Sequence, residues 1–107
     1  MSERILIVDD EQIIRESLSF VLNKEGYEVD EASNGVEAIE KQEAEPYDLV
    51  VTDIEMPNLD GFALTRKIKK DPRYAHLPVI AVTALAEDED KAKGKAAGID
   101  DYQVKVN

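Results

Sequence analysis

The chain has no cysteine and no tryptophan, and one histidine, His76. Without cysteine there is no disulfide framework, no thiolate metal centre and no cysteine nucleophile. His76 stands in "YAHLP", which reads as a surface loop. Positive charge is scarce: 13 Lys and Arg face 24 Asp and Glu, for a net charge of −11. That argues against nucleic acid as a partner, because a phosphate-binding surface needs clustered basic side chains. It suits basic partners or metal cations. Long apolar runs are missing too. "MSERILIVDD" holds four consecutive apolar residues before two acids, so it is neither a signal peptide nor a membrane span, and a cytoplasmic protein is expected. Neither G-x-x-x-x-G-K-[ST] nor G-x-G-x-x-G occurs, which leaves nucleotide or flavin binding with little support.

What is present alternates regularly along 107 residues, a length that suits one small domain. Short segments rich in β-branched residues predict strands at Arg4–Val8, Glu28–Ala32, Asp48–Thr52, Pro78–Thr83 and Asp101–Val106. Between them lie helical periods. Ile14, Leu18, Val21 and Leu22 form a stripe that stops at Asn23–Gly26. Val36 and Ile39 predict a second helix, and Leu64 and Ile68 a third that ends at "KKDP". The runs "ILIV", "LVV" and "VIAV" predict strands buried on both faces, as in a parallel sheet. The fold class is therefore α/β, a doubly wound parallel sheet. The fourth helical segment, Glu87–Gly98, has acids first and lysines later, which complements the helix dipole. It has no large apolar residue, and Gly94 costs about 1 kcal/mol relative to alanine, so a weakly anchored, solvated helix is expected.

In such sheets functional groups gather beyond the carboxyl ends of the strands. Asp9, Asp10 and Glu11 follow the first strand, Asp53 the third, Thr83 closes the fourth, and Lys105 lies near the end of the fifth. A single acid there can be a helix cap or turn residue. Acids, a hydroxyl and a lysine on four strands together point to a site. Converging carboxylates repel one another unless cations are close. Lys105 offers one charge, and a divalent ion would nearly complete the balance. Oxygen ligands without nearby His or Cys favour Mg²⁺ or Mn²⁺ over zinc. A carboxylate beside such an ion, an ammonium and a hydroxyl can attack a phosphoryl group, giving an acyl phosphate.

The segments "ILIVDDE" (5–11), "TDIEMPNLDG" (52–61), "VIAVTA" (79–84) and "AGIDDYQVK" (97–105) cover most of the chain. In order and spacing the sequence resembles a receiver domain of a two-component response regulator, of the chemotaxis type. The resemblance implies a five-stranded, flavodoxin-like sheet of order 2-1-3-4-5. It implies that Asp53 is the phosphoacceptor, and that Asp10, Asp53 and the backbone carbonyl of Glu55 bind Mg²⁺, with Asp9 acting mainly through water. Thr83 and Lys105 would bind phosphoryl oxygens, and Tyr102 falls at the aromatic switch position. From its residue type alone, Tyr102 could also be a half-buried strand aromatic. Implied partners are a histidine kinase or phosphotransfer domain, with small phosphodonors such as acetyl phosphate. Catalysis would be limited to the domain's own phosphorylation and dephosphorylation.

Several features depart from the family pattern. Val106 follows Lys105 where proline after a cis peptide is common, and a non-proline cis bond costs about 2.5–4 kcal/mol, so a trans peptide is expected. Glu55 and Leu85 occupy variable positions that bear on phosphoryl lifetime. No fifth helix follows, so residues 1–107 are expected to form a receiver truncated after its fifth strand. Apolar surface near the first helix and fifth strand would then lie open, and self-association or a partner could cover it. Two other classes are a haloacid-dehalogenase-like phosphatase, for which "DIE" has glutamate in place of the second aspartate, and an unphosphorylated interaction module.

Overall fold

The computed structural model describes residues 3–105. Strands and helices alternate: β1 (Arg4–Val8), α1 (Gln12–Lys24), β2 (Glu28–Ala32), α2 (Gly35–Ala44), β3 (Leu49–Thr52), α3 (Gly61–Lys70), β4 (Val79–Thr83), α4 (Asp88–Ala97) and β5 (Asp101–Val104). The strands form one parallel sheet of order β2-β1-β3-β4-β5, the order the resemblance implied. β1 and β2 have the predicted boundaries. β4 starts one residue late, because Pro78 has no N–H to donate to the ladder; its carbonyl accepts from Val50 N–H at 3.0 Å. Val106, assigned to the last strand from sequence, and the trans peptide expected before it lie outside the described residues.

Alternation along the strands divides the core into two layers. Leu6, Val8, Val50 and Val79 face one way, against Ala38 of α2 and Leu64 and Ile68 of α3. Ile5, Ile7 and Val51 face the other way, with Leu18 and Leu22 of α1 packed on them. β1 is thus buried on both faces, as its apolar run predicts. β4 is not: Val79 and Ala81 are buried, but Ile80 and Val82 are only half-buried. The cause is placement, since α1 lies over β1 and β2 rather than over β4.

Two helical faces also differ from expectation. Leu18 and Leu22 point inward, but Val21 is 56% exposed and falls off the stripe. Val36 is exposed too, while Ala38 and Gln42 face the core. The rotation of α2 is set at its start. Asn34 accepts a hydrogen bond from Glu37 N–H, and Gly35 lies so close to Leu59 that a Cβ would approach its carbonyl oxygen to 2.8 Å. Val36 therefore turns outward. α4 packs beside α3 and buries only Gly94 and Ala97, in keeping with the weak anchoring expected of it.

Candidate functional site

Backbone hydrogen bonds continue the ladder one step past the strand ends. Asp9 N–H donates to the Ala32 carbonyl at 3.1 Å, Asp53 N–H to Val8 at 2.9 Å and Lys105 N–H to Thr83 at 2.7 Å. This places Asp9 and Asp53 at the same level along the carboxyl edge of the sheet, while Lys105 stands two residues further along the register and its ammonium reaches both carboxylates. Asp9 and Asp53 are buried and Asp10 is exposed. One carboxylate oxygen from each lies within 4.8 Å of the others. At that separation like charges repel by roughly 3–4 kcal/mol per pair at an effective dielectric near 20, so a nearby cation offsets much of the cost of gathering them.

Lys105 is one such cation. Its Nζ lies 3.2 Å from Asp9 Oδ2 and 3.4 Å from Asp53 Oδ2. Burial pushes the ammonium pKa down, but the charges of Asp53 and Asp9 outweigh it, and the net shift is upward. Each buried carboxylate also takes a backbone donor: Glu11 N–H to Asp9 Oδ1 at 2.9 Å and Ile54 N–H to Asp53 Oδ1 at 2.7 Å. The Asp53 carbonyl accepts the buried Thr52 hydroxyl at 2.8 Å. Gly61 closes in from the other side, where a Cβ would come within 2.3 Å of that carbonyl. The "NLDG" turn has to pass this close, and Asn58 takes a left-handed φ of 71° to make it.

A cleft of about 350 Å³ opens above these groups, lined by Asp10, Glu11, Ile14, Asp53, Glu55, Ala84 and Lys105. The donor set is entirely oxygen, with neither sulfur nor imidazole, and fits a hard divalent cation. Asp9, Asp10, Asp53, Glu55 and Lys105 are thus brought together. Thr83 is near but does not line the cleft: it is fully buried, and its hydroxyl accepts from Leu85 N–H at 3.3 Å. Tyr102 lies further out, half-buried, with its hydroxyl donating to the Leu85 carbonyl at 2.8 Å. Burial is the first cause of its raised pKa, followed by the charges of Asp90, Asp53 and Glu55. His76 is exposed, in the loop between α3 and β4. Sequence reading passed over Arg15, whose Nη1 donates to the Asp9 carbonyl at 2.8 Å while its Nε donates to Glu31 at 3.2 Å.

The model of the response regulator receiver domain family matches residues 5–107. This chain belongs to that family. The receiver is 45% identical over 102 residues to the gliding motility regulatory protein of Myxococcus xanthus, covering 95% of this chain and 13% of that protein. It therefore spans a small part of that relative's length. Among solved structures, chemotaxis protein CheY4 of Vibrio cholerae superposes with a TM-score of 0.94 at 32% identity, covering 100% of this chain and 89% of that one. Response regulator TrrA of Thermotoga maritima, in complex with Mg²⁺ and BeF, superposes with a TM-score of 0.86 at 41% identity, covering 97% and 87%. Receivers are signalling domains that bind Mg²⁺ at an acidic pocket, and the aspartate cluster of this chain has the composition of one. No helix among the described residues is long and apolar enough to cross a membrane.

Proposed function

We propose that residues 1–107 act as one receiver unit in which Asp53 accepts a phosphoryl group. The observation that carries this reading is the Lys105 ammonium held between Asp9 and Asp53, beside the convergent oxygens of Asp9, Asp10 and Asp53. Asp53 Oδ attacks phosphorus, an O–P bond forms, and the electron pair of the donor bond leaves with the donor. In a phosphohistidine that bond is P–N and the leaving group is the imidazole, which takes up a proton from water. A histidine kinase or phosphotransfer domain supplies such a donor, and acetyl phosphate serves as a small one.

The chain's own groups have distinct tasks. The Ile54 N–H bond holds Asp53 Oδ1, so Oδ2 faces Lys105. Lys105 takes a transferred oxygen, since a charge-assisted bond to phosphoryl replaces its bonds to carboxylate. Asp10, Asp53 and the Glu55 carbonyl would hold Mg²⁺, or Mn²⁺ in its place, with Asp9 supporting it mainly through water. When bound, the ion offsets charge on the phosphoryl oxygens. Because Thr83 is buried, its hydroxyl reaches a phosphoryl oxygen only if the Thr83–Leu85 turn moves. Leu85 bonds both Thr83 and Tyr102, so that movement reaches Tyr102 through one residue.

Intact mass after incubation with acetyl phosphate and Mg²⁺ tests the reading. One phosphoryl group is gained by the wild type and none by Asp53→Asn. A wild type that gains nothing, from acetyl phosphate or from a phosphohistidine donor, would point to an interaction module that works unphosphorylated.

A further inference from the structure

Arg15 lies in the second turn of α1, where a charged side chain ordinarily points to water. Here it is drawn inward, with the side chain only 16% exposed, and its guanidinium divides between two targets. Nη1 bonds the Asp9 carbonyl, and Nε bonds Glu31 near the end of β2. Glu31 is itself anchored, because its carbonyl accepts Lys41 Nζ from α2. The Asp9 N–H is held by Ala32 of the same strand. Both ends of Asp9's backbone are therefore fixed, one by β2 directly and one by Arg15.

The Asp9 carbonyl belongs to the peptide that leads into Asp10. Fixing that carbonyl fixes the peptide plane, and the plane sets the direction in which the Asp10 side chain leaves the backbone. Asp10 is exposed, so its aim rests on the backbone that carries it. We infer that Arg15 is a positioning residue for the divalent cation: through the Asp9 carbonyl it directs Asp10 toward the pocket, braced by Glu31. The inference rests on the reading that Asp10 is a metal ligand. Arg15 and Glu31 form a nearly neutral pair, so the effect is one of geometry rather than of added positive charge. A lysine has one nitrogen and cannot reproduce a fork reaching in two directions.

Isothermal titration of the full chain with MgCl₂ tests this, with each variant's metal-free thermal midpoint recorded so that only folded protein is titrated. Outer partners of metal ligands are worth about 10–100-fold in affinity. Arg15→Gln should weaken Mg²⁺ binding by about tenfold or more. Arg15→Lys, which keeps the charge, should recover little of that loss, and Glu31→Gln should weaken binding by a smaller factor. Arg4 provides the structural control. It pairs with Glu28, Asp30 and Glu45 at the opposite end of the sheet, so Arg4→Gln should lower the thermal midpoint and leave Mg²⁺ affinity unchanged. If folded Arg15→Gln or Arg15→Lys binds Mg²⁺ as tightly as the wild type, Arg15 has no such role. Asp10→Asn separates the metal site from the role of Arg15. If it binds as the wild type does, or if the wild type does not bind, the metal reading fails together with the inference. If it alone loses binding, the reading stands and the inference fails.

Discussion

Lys105 is half-buried beside two buried carboxylates, and its protonation is tied to both. Its pKa is raised above the ordinary 10.5, since the pull of Asp53 and Asp9 exceeds the opposing effect of burial. A group whose folded-state pKa is raised contributes stability in full below its unfolded value, and loses it as pH rises through the folded value. Stability should therefore be maintained to about pH 10.5 and then fall, through this group, as the ammonium deprotonates. Lys105→Met should flatten that alkaline limb in urea unfolding followed against pH. At neutral pH it leaves Asp9 and Asp53 without their cation, a loss bounded by the value for a fully buried pair, about 3–5 kcal/mol, and reduced by the 19% exposure of the Lys105 side chain. Mg²⁺ should restore part of it. Lys105, Asp53 and Asp9 were legible in the sequence because a charged side chain at the end of an apolar strand is costly to bury without a partner or a ligand. Arg15 was not, because a helix surface carries charge routinely and nothing in the spacing says which arginine turns inward. The burial of the Thr83 hydroxyl was equally hidden, since a strand-end threonine can face either the cleft or its own turn.

The helices repeat this division between what composition shows and what packing decides. The weak anchoring of α4 is evident from its lack of large apolar residues, but the reason for Gly94 is visible only in three dimensions. A Cβ there would meet the Tyr102 ring at 3.0 Å and Ile99 Cδ1 at 3.4 Å. Gly94 thus leaves the space in which the Tyr102 ring packs while its hydroxyl holds Leu85. Two effects oppose each other on Gly94→Ala: helix propensity stabilises by about 1 kcal/mol, and the contact with Tyr102 destabilises. A double-mutant cycle separates them. In a Tyr102→Ala background Gly94→Ala should stabilise by about 1 kcal/mol in urea unfolding. In the wild-type background the gain should shrink or change sign. Equal effects in both would show that the ring does not need the glycine. Val21 and Val36 teach the same lesson in reverse. Both are apolar yet exposed, and for Val36 the rotation of α2 is set by the Asn34 cap and the close approach of Gly35 to Leu59, which periodicity alone does not contain.

Across the whole molecule, a charge of −11 is spread over a small sheet protein whose site gathers three aspartates. Two kinds of cation effect should therefore be separable. Screening by any salt relaxes self-repulsion and raises stability without reference to the cleft. On the proposed reading, a divalent ion held by Asp10, Asp53 and the Glu55 carbonyl would add a second term, because it would bind the folded state and find no such arrangement in the unfolded chain. That increment is about 2.7 kcal/mol at a hundred times the dissociation constant. Thermal midpoints in MgCl₂ and in NaCl of matched ionic strength should thus differ for the wild type, with MgCl₂ higher. Removing a ligand without loss of fold should eliminate the site term while relieving repulsion in the metal-free protein. Asp10→Asn takes away one member of a repelling group, so it should raise the midpoint in NaCl while abolishing the extra gain from MgCl₂. A variant that became less stable in NaCl would mean that the Asp10 carboxylate is held by favourable contacts, and the picture of three mutually repelling acids would be wrong.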